Sequence, residues 1–307
     1  MNLGKTLLIV NPTAKSGEGE TAARTAEELL RTQLLDGPDV VRTSAAGHGR
    51  QLAEQLGGRY QTVVALGGDG IAHEVACGLM ELDAAHRPSF GLIPVGSGND
   101  YARSLGLSFK VPQAVQQLLG YQAQLTDLGM VNGEYFLETL SFGLDAAIAL
   151  GTMERRKKDG KSGTRLYLEE GIHQFVHHLD FHPYEMSSLD EKGEMSLRQG
   201  GSAILIAVQV GPTYGGGFMV CPKARLDDGL LDVCVANGPI SVLRAIKVFL
   251  SAKGGHHVGH PAIKLSRVQE VVVRFEGTPP CQIDGEPFSA PEYRIRVVPQ
   301  ALRVIRA

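Results

Sequence analysis

No G-x-x-x-x-G-K-S/T segment occurs in the 307 residues, which argues against the P-loop by which many nucleotide hydrolases cradle phosphate. Nor does a G-x-G-x-x-G open a helix after the first apolar run; that position reads Asn11-Pro12-Thr13-Ala14-Lys15-Ser16-Gly17. The four cysteines, Cys77, Cys221, Cys234 and Cys281, are scattered and lack metal-ligand spacing, as expected of reduced core thiols in a cytosolic protein. A basic excess is also missing. Lys and Arg number 30 against 33 Asp and Glu, a net charge of −3, which argues against a general nucleic-acid binder. The first apolar run, residues 7–10, stops at Asn11-Pro12, so no signal peptide is expected. No stretch approaches the roughly 20 apolar residues that a transmembrane helix needs. The expectation is a soluble intracellular chain, long enough for two domains and 43% hydrophobic.

Two glycine-rich turns carry most of the chemical information. Gly67-Gly68-Asp69-Gly70 follows the apolar run 62–66, and Gly96-Ser97-Gly98-Asn99-Asp100 follows the run 90–95. Each reads as strand, tight loop, helix. Glycines let the backbone approach a ligand closely, and a helix N-terminus offers unpaired N–H groups to an anion. An aspartate in each loop would repel phosphate unless a divalent cation bridged them, so the pair reads as a Mg²⁺-nucleotide site. Taken singly, each is equally an ordinary turn of an α/β domain. The polar, small segment 11–17 suits phosphate or ribose contact, or a plain β–α turn.

Up to about residue 125, strand-like runs alternate with helix-like ones. Residues 6–10 lead to a helix over 21–35, residues 40–43 lead to a helix from about Arg50, and the glycine loops repeat the pattern. This is the rhythm of a mostly parallel sheet covered by helices, which binds ligands at the carboxyl ends of its strands. Beyond it the rhythm is that of hairpins. Segments 125–131 and 134–141 flank Asn132-Gly133, a strong two-residue turn signal. Further strands are expected at 202–210, 230–236, 268–275, 294–298 and 302–305, with helices near 166–178 and 241–250. The spacing therefore predicts an α/β nucleotide domain over 1–127, joined by the last strand at about 299–307. A β-rich domain over 128–298 follows, with the active site in the cleft between them.

Several short segments, in order, carry a family resemblance: Val10-Asn11-Pro12 with Gly17; Thr43 ahead of Ala46-Gly47-His48-Gly49; and Gly67-Gly68-Asp69-Gly70 with Glu74-Val75. The series continues with Pro94 through Asp100, Tyr214-Gly215-Gly216-Gly217 with Pro222, Asp227-Asp228-Gly229-Leu230-Leu231-Asp232, and Ile283-Asp284-Gly285-Glu286-Pro287. Along nearly its whole length the chain resembles the diacylglycerol kinase catalytic superfamily, most of all its soluble bacterial lipid kinases. That likeness implies an NAD-kinase-like α/β domain followed by a β-sandwich. It also implies ATP-dependent phosphorylation of a lipid hydroxyl, most simply that of diacylglycerol, by a cytoplasmic protein that visits the membrane surface. The ATP site implied comprises Asn11, Pro12, Thr13, Ala14, Lys15, Thr43, Gly68, Asp69, Gly70, Ile71, Ala72, His73, Glu74 and Ser97, with Asp69 holding Mg²⁺. A structural Mg²⁺ is implied at the Asp228 side chain and the carbonyls of Arg225 and Leu230. Glu286 is implied as the catalytic proton acceptor, with Asp284 orienting the acceptor or a metal-bound water; the reverse assignment of the two stays open. In an extended segment these two carboxylates would share a face.

Ile71 and His73 stand where members of the superfamily usually carry threonine and asparagine, removing a hydroxyl and an amide. Other readings therefore stay open: a kinase for a sphingoid base or isoprenoid-like alcohol, an NAD kinase, or a nucleotide- or lipid-binding regulator. A homodimer is also compatible. The histidines at 177–178, 256, 257 and 260 lack carboxylate or cysteine partners and read as surface residues. The basic run Arg155-Arg156-Lys157-Lys158, with Lys161 and Arg165, reads as a solvated loop or as a contact for an anionic bilayer.

Overall fold

A computed structural model describes residues 3–159, 164–189 and 195–307. The chain forms two compact units, Met1–Thr126 with Gln300–Ala307, and Asp127–Pro299.

The first unit contains β1 (Thr6–Val10), α1 (Ala14–Gln33), β2 (Pro38–Arg42), α2 (His48–Leu56), β3 (Thr62–Gly67), α3 (Asp69–Met80), β4 (Ser89–Pro94), α4 (Asp100–Ser104), α5 (Val111–Gly120) and the start of β5 (Gln122–Val131). Its strands lie parallel in the order β4-β3-β1-β2. β1 and β3 are buried at every position. That is why both read as unbroken apolar runs, as in a sheet covered on two sides. Against them α1 turns Ala22, Ala23, Ala26 and Leu30, a helical stripe that buries itself with Leu8, Val10 and Leu66. Each fully buried leucine of this kind contributes about 1.5–3 kcal/mol. The helix begins seven residues earlier than expected from sequence, running through Gly17 and Gly19. A side chain on Gly19 would meet the Asn11 carbonyl at 2.2 Å. This glycine serves close packing of the first turn under the β1 loop rather than breaking the helix.

The second unit is built mainly of antiparallel strands: β6 (Glu134–Phe136), β7 (Thr139–Gly143), α6 (Leu144–Asp159), α7 (Thr164–His177), β8 (His182–Leu189), β9 (Met195–Gln209), β10 (Leu231–Asn237), α8 (Val242–Ala252), β11 (Ile263–Val268), β12 (Glu270–Phe275), β13 (Cys281–Ile283), β14 (Glu286–Pro287) and β15 (Tyr293–Arg306), whose last residues belong to the first unit. The strand order is β14-β13-β7-β9-β8-β12-β15, with β10 joining β9 to β11 and β5 pairing β6. Asn132 and Gly133 have φ of 49° and 97°, the positive pair that a tight hairpin turn demands. α6 and β8 were not expected from sequence. α6 lacks any start signal beyond Gly143. β8 exposes Glu185 and places Ser188 among its buried positions, which blurs the alternation. The run 268–275 divides into β11 and β12 at Gln269, while 294–298 and 302–305 form one strand. None of the four cysteines forms a disulfide, and all four are buried. Burial pushes the Cys234 and Cys281 thiols up to about 12, so they remain protonated and unreactive.

Candidate active site

Parallel pairing in step places Val10 opposite Arg42 and Leu66, and Gly67 opposite Pro94. The loops after β1, β2, β3 and β4 therefore open along one edge of the first unit's sheet, at the strands' carboxyl ends. The two glycine turns lie backbone to backbone. A Cβ on Gly96 would fall 2.4 Å from the Gly68 Cα, and the Val95 N–H donates to the Gly67 carbonyl at 2.7 Å. Any larger residue at either position would force the loops apart. Asn99, at φ 53°, pins the second loop: its Oδ1 accepts from the Gly96 N–H at 2.8 Å and its Nδ2 donates to the Gly96 carbonyl at 3.0 Å.

This clasp brings the two aspartates together. Asp69, the first residue of α3, accepts the Tyr101 N–H on Oδ1 at 3.2 Å. A Cβ placed on Gly98 would lie 2.9 Å from Asp69 Oδ2 and 3.2 Å from Asp100 Oδ2. Two carboxylates thus converge on one glycine, at the N-terminus of a twelve-residue helix, with Arg103 3.9 Å from Asp100 as a weak counter-charge. Hard oxygens gathered in this way suit a small divalent cation, and the adjoining N–H groups suit a phosphate.

The remaining sequence-derived positions play unequal parts. Asn11 Oδ1 accepts from the Thr13 N–H and Oγ1 at 3.1 and 2.9 Å, closing the turn that contains Pro12. Lys15 is exposed and pairs with Glu18 at 2.7 Å. The Thr43 N–H donates to the Val10 carbonyl, holding the end of β2 beside that turn. Gly70 is the second residue of α3, and Ser97 lies in the loop before α4. Ala14, Ile71 and Ala72 are buried. Ile71 packs beneath Gly49 and Gly67, whose added Cβ atoms would meet it at 2.4 and 2.6 Å, so its side chain supports the loop from below rather than lining a ligand. The His73 ring lies 3.6 Å from the Cys77 thiol, one helical turn on. Glu74 is committed elsewhere: its carboxylate accepts the Gly47 and Gly49 N–H groups, both at 2.8 Å, and so fixes the loop before α2.

In the second unit the Asp284–Glu286 segment is not extended. Asp284 and Gly285 have φ of 47° and 95° and form the two-residue turn between β13 and β14. The carboxylates consequently part company, correcting the shared-face expectation. Asp284 accepts three backbone N–H groups, from Leu137, Glu138 and Thr139, at 2.7, 3.0 and 2.9 Å. Glu286 stands exposed at the start of β14.

At the expected structural cation loop, Asp228 Oδ1 accepts the Leu230 N–H at 3.2 Å and its Oδ2 is ion-paired by Arg267. Arg225 pairs instead with Asp227 at 3.4 Å. The Arg225 and Leu230 carbonyls are hard donors, but the one carboxylate is already balanced, so a cation would have to displace a guanidinium. This donor set does not fit the ion well. Arg155 is similarly engaged, with Glu169 and Glu170 at 3.5 and 3.2 Å, and the run 155–158 lies in α6 rather than in a loop. Lys161 lies outside the described residues. Among those described, no group of three or more His, Cys, Asp or Glu side chains is arranged to hold a metal ion. No helix among them is long and apolar enough to cross a membrane.

An almost wholly apolar cavity lies within the second unit, and no local pattern in the sequence announces it. Its walls include Phe175 of α7, Phe249 of α8, Phe218, Ile204 of β9 and Cys234 of β10. The loop Gly215–Gly217, all at positive φ, is closed by pairing of Tyr214 with Phe218, and both aromatics line the cavity. Tyr167, also in the lining, donates to the buried Asp145 carboxylate at 2.8 Å. Burial pushes the Asp145 carboxyl up; hydrogen bonds from Ser141, Tyr214, Tyr167 and Gln282 oppose it. A buried aspartate beside an apolar hollow had one sequence signal, a lone carboxylate in the apolar stretch 142–150.

Known proteins resemble the chain along its length. Residues 5–131 match the diacylglycerol kinase catalytic domain, and residues 139–306 the YegS C-terminal NAD kinase beta sandwich-like domain. A Pseudomonas aeruginosa protein named "Probable lipid kinase YegS-like" is 32% identical over 99% of this chain and 95% of its own length. A protein of the same name from Yersinia enterocolitica is 28% identical over 97% and 95%. Among solved structures, a diacylglycerol kinase from Bacillus anthracis superposes with a TM-score of 0.77 at 21% identity, covering 99% of this chain and 97% of that one. At that identity the likeness speaks for the fold. Glycine loops clasped at the strand ends, a β-rich second unit and matches spanning both lead to one assignment: the chain is a kinase of the diacylglycerol kinase catalytic superfamily, in its YegS-like branch.

Proposed function

We propose that this kinase transfers the γ-phosphoryl group of ATP to a lipid hydroxyl, with diacylglycerol as acceptor and phosphatidic acid as product. The observation that carries the lipid reading is the apolar cavity in the second unit, which suits acyl chains and would waste its lining on a dinucleotide. ATP is assigned to the first unit, its phosphates to the backbone N–H groups of Gly68 and Gly70, and the loops around Asn11, Thr43 and Ser97 to the rest of the nucleotide. Asp69 and Asp100 would hold Mg²⁺, which when bound neutralises charge on the phosphates. Phosphoryl transfer of this kind relies on positioning and charge neutralisation. Glu286 accepts the hydroxyl proton; a loose transition state demands little basicity of it. Asp284 is a positioning residue that fixes the turn from which Glu286 projects. Transient membrane contact would give access to a substrate that resides in the bilayer, and cytoplasmic residence would give access to ATP.

A radiolabelled ATP assay in mixed micelles tests the reading. Product should form with diacylglycerol and Mg²⁺, and much less with sphingosine or NAD. Preference for either alternative, or ATP consumption indifferent to every acceptor, would overturn the assignment.

A further inference from the structure

The chain as a whole carries a net charge of −3, yet no acidic residue occurs between Asp232 and Glu270. That segment contains α8 and β11 and bears Arg244, Lys247, Lys253, Lys264 and Arg267. Arg267 is neutralised by Asp228 and Asp232, and Lys253 donates to the Gly216 carbonyl. Arg244, Lys247 and Lys264 are exposed, and among the described residues no carboxylate pairs with them. The same segment exposes large apolar side chains: Leu243 is 82% accessible, Leu250 48%, Val258 45% and Leu265 42%.

The helical spacing of α8 explains the arrangement. Ala245, Val248, Phe249 and Ala252 turn inward and line the cavity. At 100° per residue the apolar arc continues past them through Ile246 to Leu250 and Leu243, and Lys247 and Arg244 follow on the outer side. Across the sheet, Leu265 pairs with the cavity-lining Cys234 and so lies on the cavity's face of the edge strand β11. On α7, Ile172 and Val176 are exposed beside Phe175, whose ring packs 5.1 Å from that of Phe249. The exposed apolar side chains therefore sit on the very elements that wall the cavity. An apolar arc wider than the core covers, bordered by cations without carboxylate partners, is the pattern of a helix that lies in a membrane interface.

We infer that α8, with the adjoining edge of β11, is the surface by which this protein docks on an anionic phospholipid bilayer. Leucines 243 and 250 enter the headgroup boundary while Arg244 and Lys247 meet lipid phosphates. This face replaces the basic run at 155–158, whose Arg155 is spent on Glu169 and Glu170. It also gives α8 two duties, one face toward the bilayer and the other lining the space assigned to the acyl chains. The inference rests on the lipid-kinase reading only for its purpose, because docking is measured without turnover.

Flotation with vesicles of phosphatidylcholine, with or without phosphatidylglycerol, provides the test, in the absence of ATP. Wild type should float with anionic vesicles and not with neutral ones, and added salt should release it. Arg244→Gln/Lys247→Gln should weaken the partition by about fivefold per charge removed, and Leu243→Ser/Leu250→Ser should abolish it. Circular dichroism and turnover of a short-chain, water-dispersed diacylglycerol should be unchanged in both, because these side chains are exposed and outside the catalytic assignment. Unchanged flotation of both double variants would overturn the docking surface. So would a wild-type dimer that Leu243→Ser/Leu250→Ser makes monomeric, since the face would then belong to a second copy. Intact charge-dependent flotation by a protein that phosphorylates no lipid would instead retain the surface and overturn the kinase reading.

Discussion

An Asp-Gly pair sits at a turn in each unit, and the two do opposite things. Asp69 begins α3 with one oxygen on the Tyr101 N–H and the other beside Asp100 across Gly98, so negative charge is gathered there. Asp284 turns back onto three backbone N–H groups, so its charge is consumed in holding the chain. The residues are identical; the difference lies in which donors come within reach. In the first unit the parallel strands end in step and bring a second loop alongside. In the second, a hairpin tip folds over the start of β7. A carboxylate set beside a second carboxylate suits a cation, and one that accepts three backbone N–H groups is a structural brace.

The sharpest break of this comparison is Asp69→Ala. Removing it should lower kcat by about 10³-fold, the scale of losing a preorganised electrostatic contact, while the thermal midpoint moves little. Retained activity would show that the paired carboxylates are not the cation site. Next comes the contrast between Glu286→Gln and Asp284→Ala. The first should reduce kcat by about 10²-fold or more, with an unchanged melting temperature. The second should cost about 2 kcal/mol through lost charge-assisted hydrogen bonds, a fall of roughly 4–8 °C for a unit of this size. Calorimetry and initial rates on the same preparations separate the roles. A Glu286→Gln protein that melts early but turns over normally would reverse them. The smallest effect is expected at Ala245→Leu, which fills part of the cavity. It should raise KM several-fold for a long-chain diacylglycerol and leave a short-chain analogue unaffected, as measured by steady-state kinetics.

Much of the first unit was legible because its determinants are local. Strands buried on both faces must be continuously apolar, and loops that meet phosphate must be glycine-rich, so Gly67–Gly70 and Gly96–Asp100 announce themselves in the sequence. Glu74 shows where that legibility stops. It stands next to the right residues, yet its carboxylate is taken by Gly47 and Gly49, from a loop more than twenty positions away. Ile71 likewise reads as a lost hydroxyl at a phosphate loop, but it is a buried support beneath two glycines.

The sequence by itself determined the order of elements in the first unit, the glycine turns, the Asn132-Gly133 hairpin and the superfamily, all carried by residue type at close spacing. Tertiary structure alone decided the rest. The cavity is assembled from side chains of α7, α8, β9 and β10 and from Tyr214 and Phe218, which are scattered along the chain. The pairing of Asp228 with Arg267 joins residues 39 positions apart and takes over the charge that a cation was expected to balance. The Asp284 brace depends on N–H donors nearly 150 positions away. Such contacts depend on which surfaces meet after folding, and no local pattern of residues encodes them.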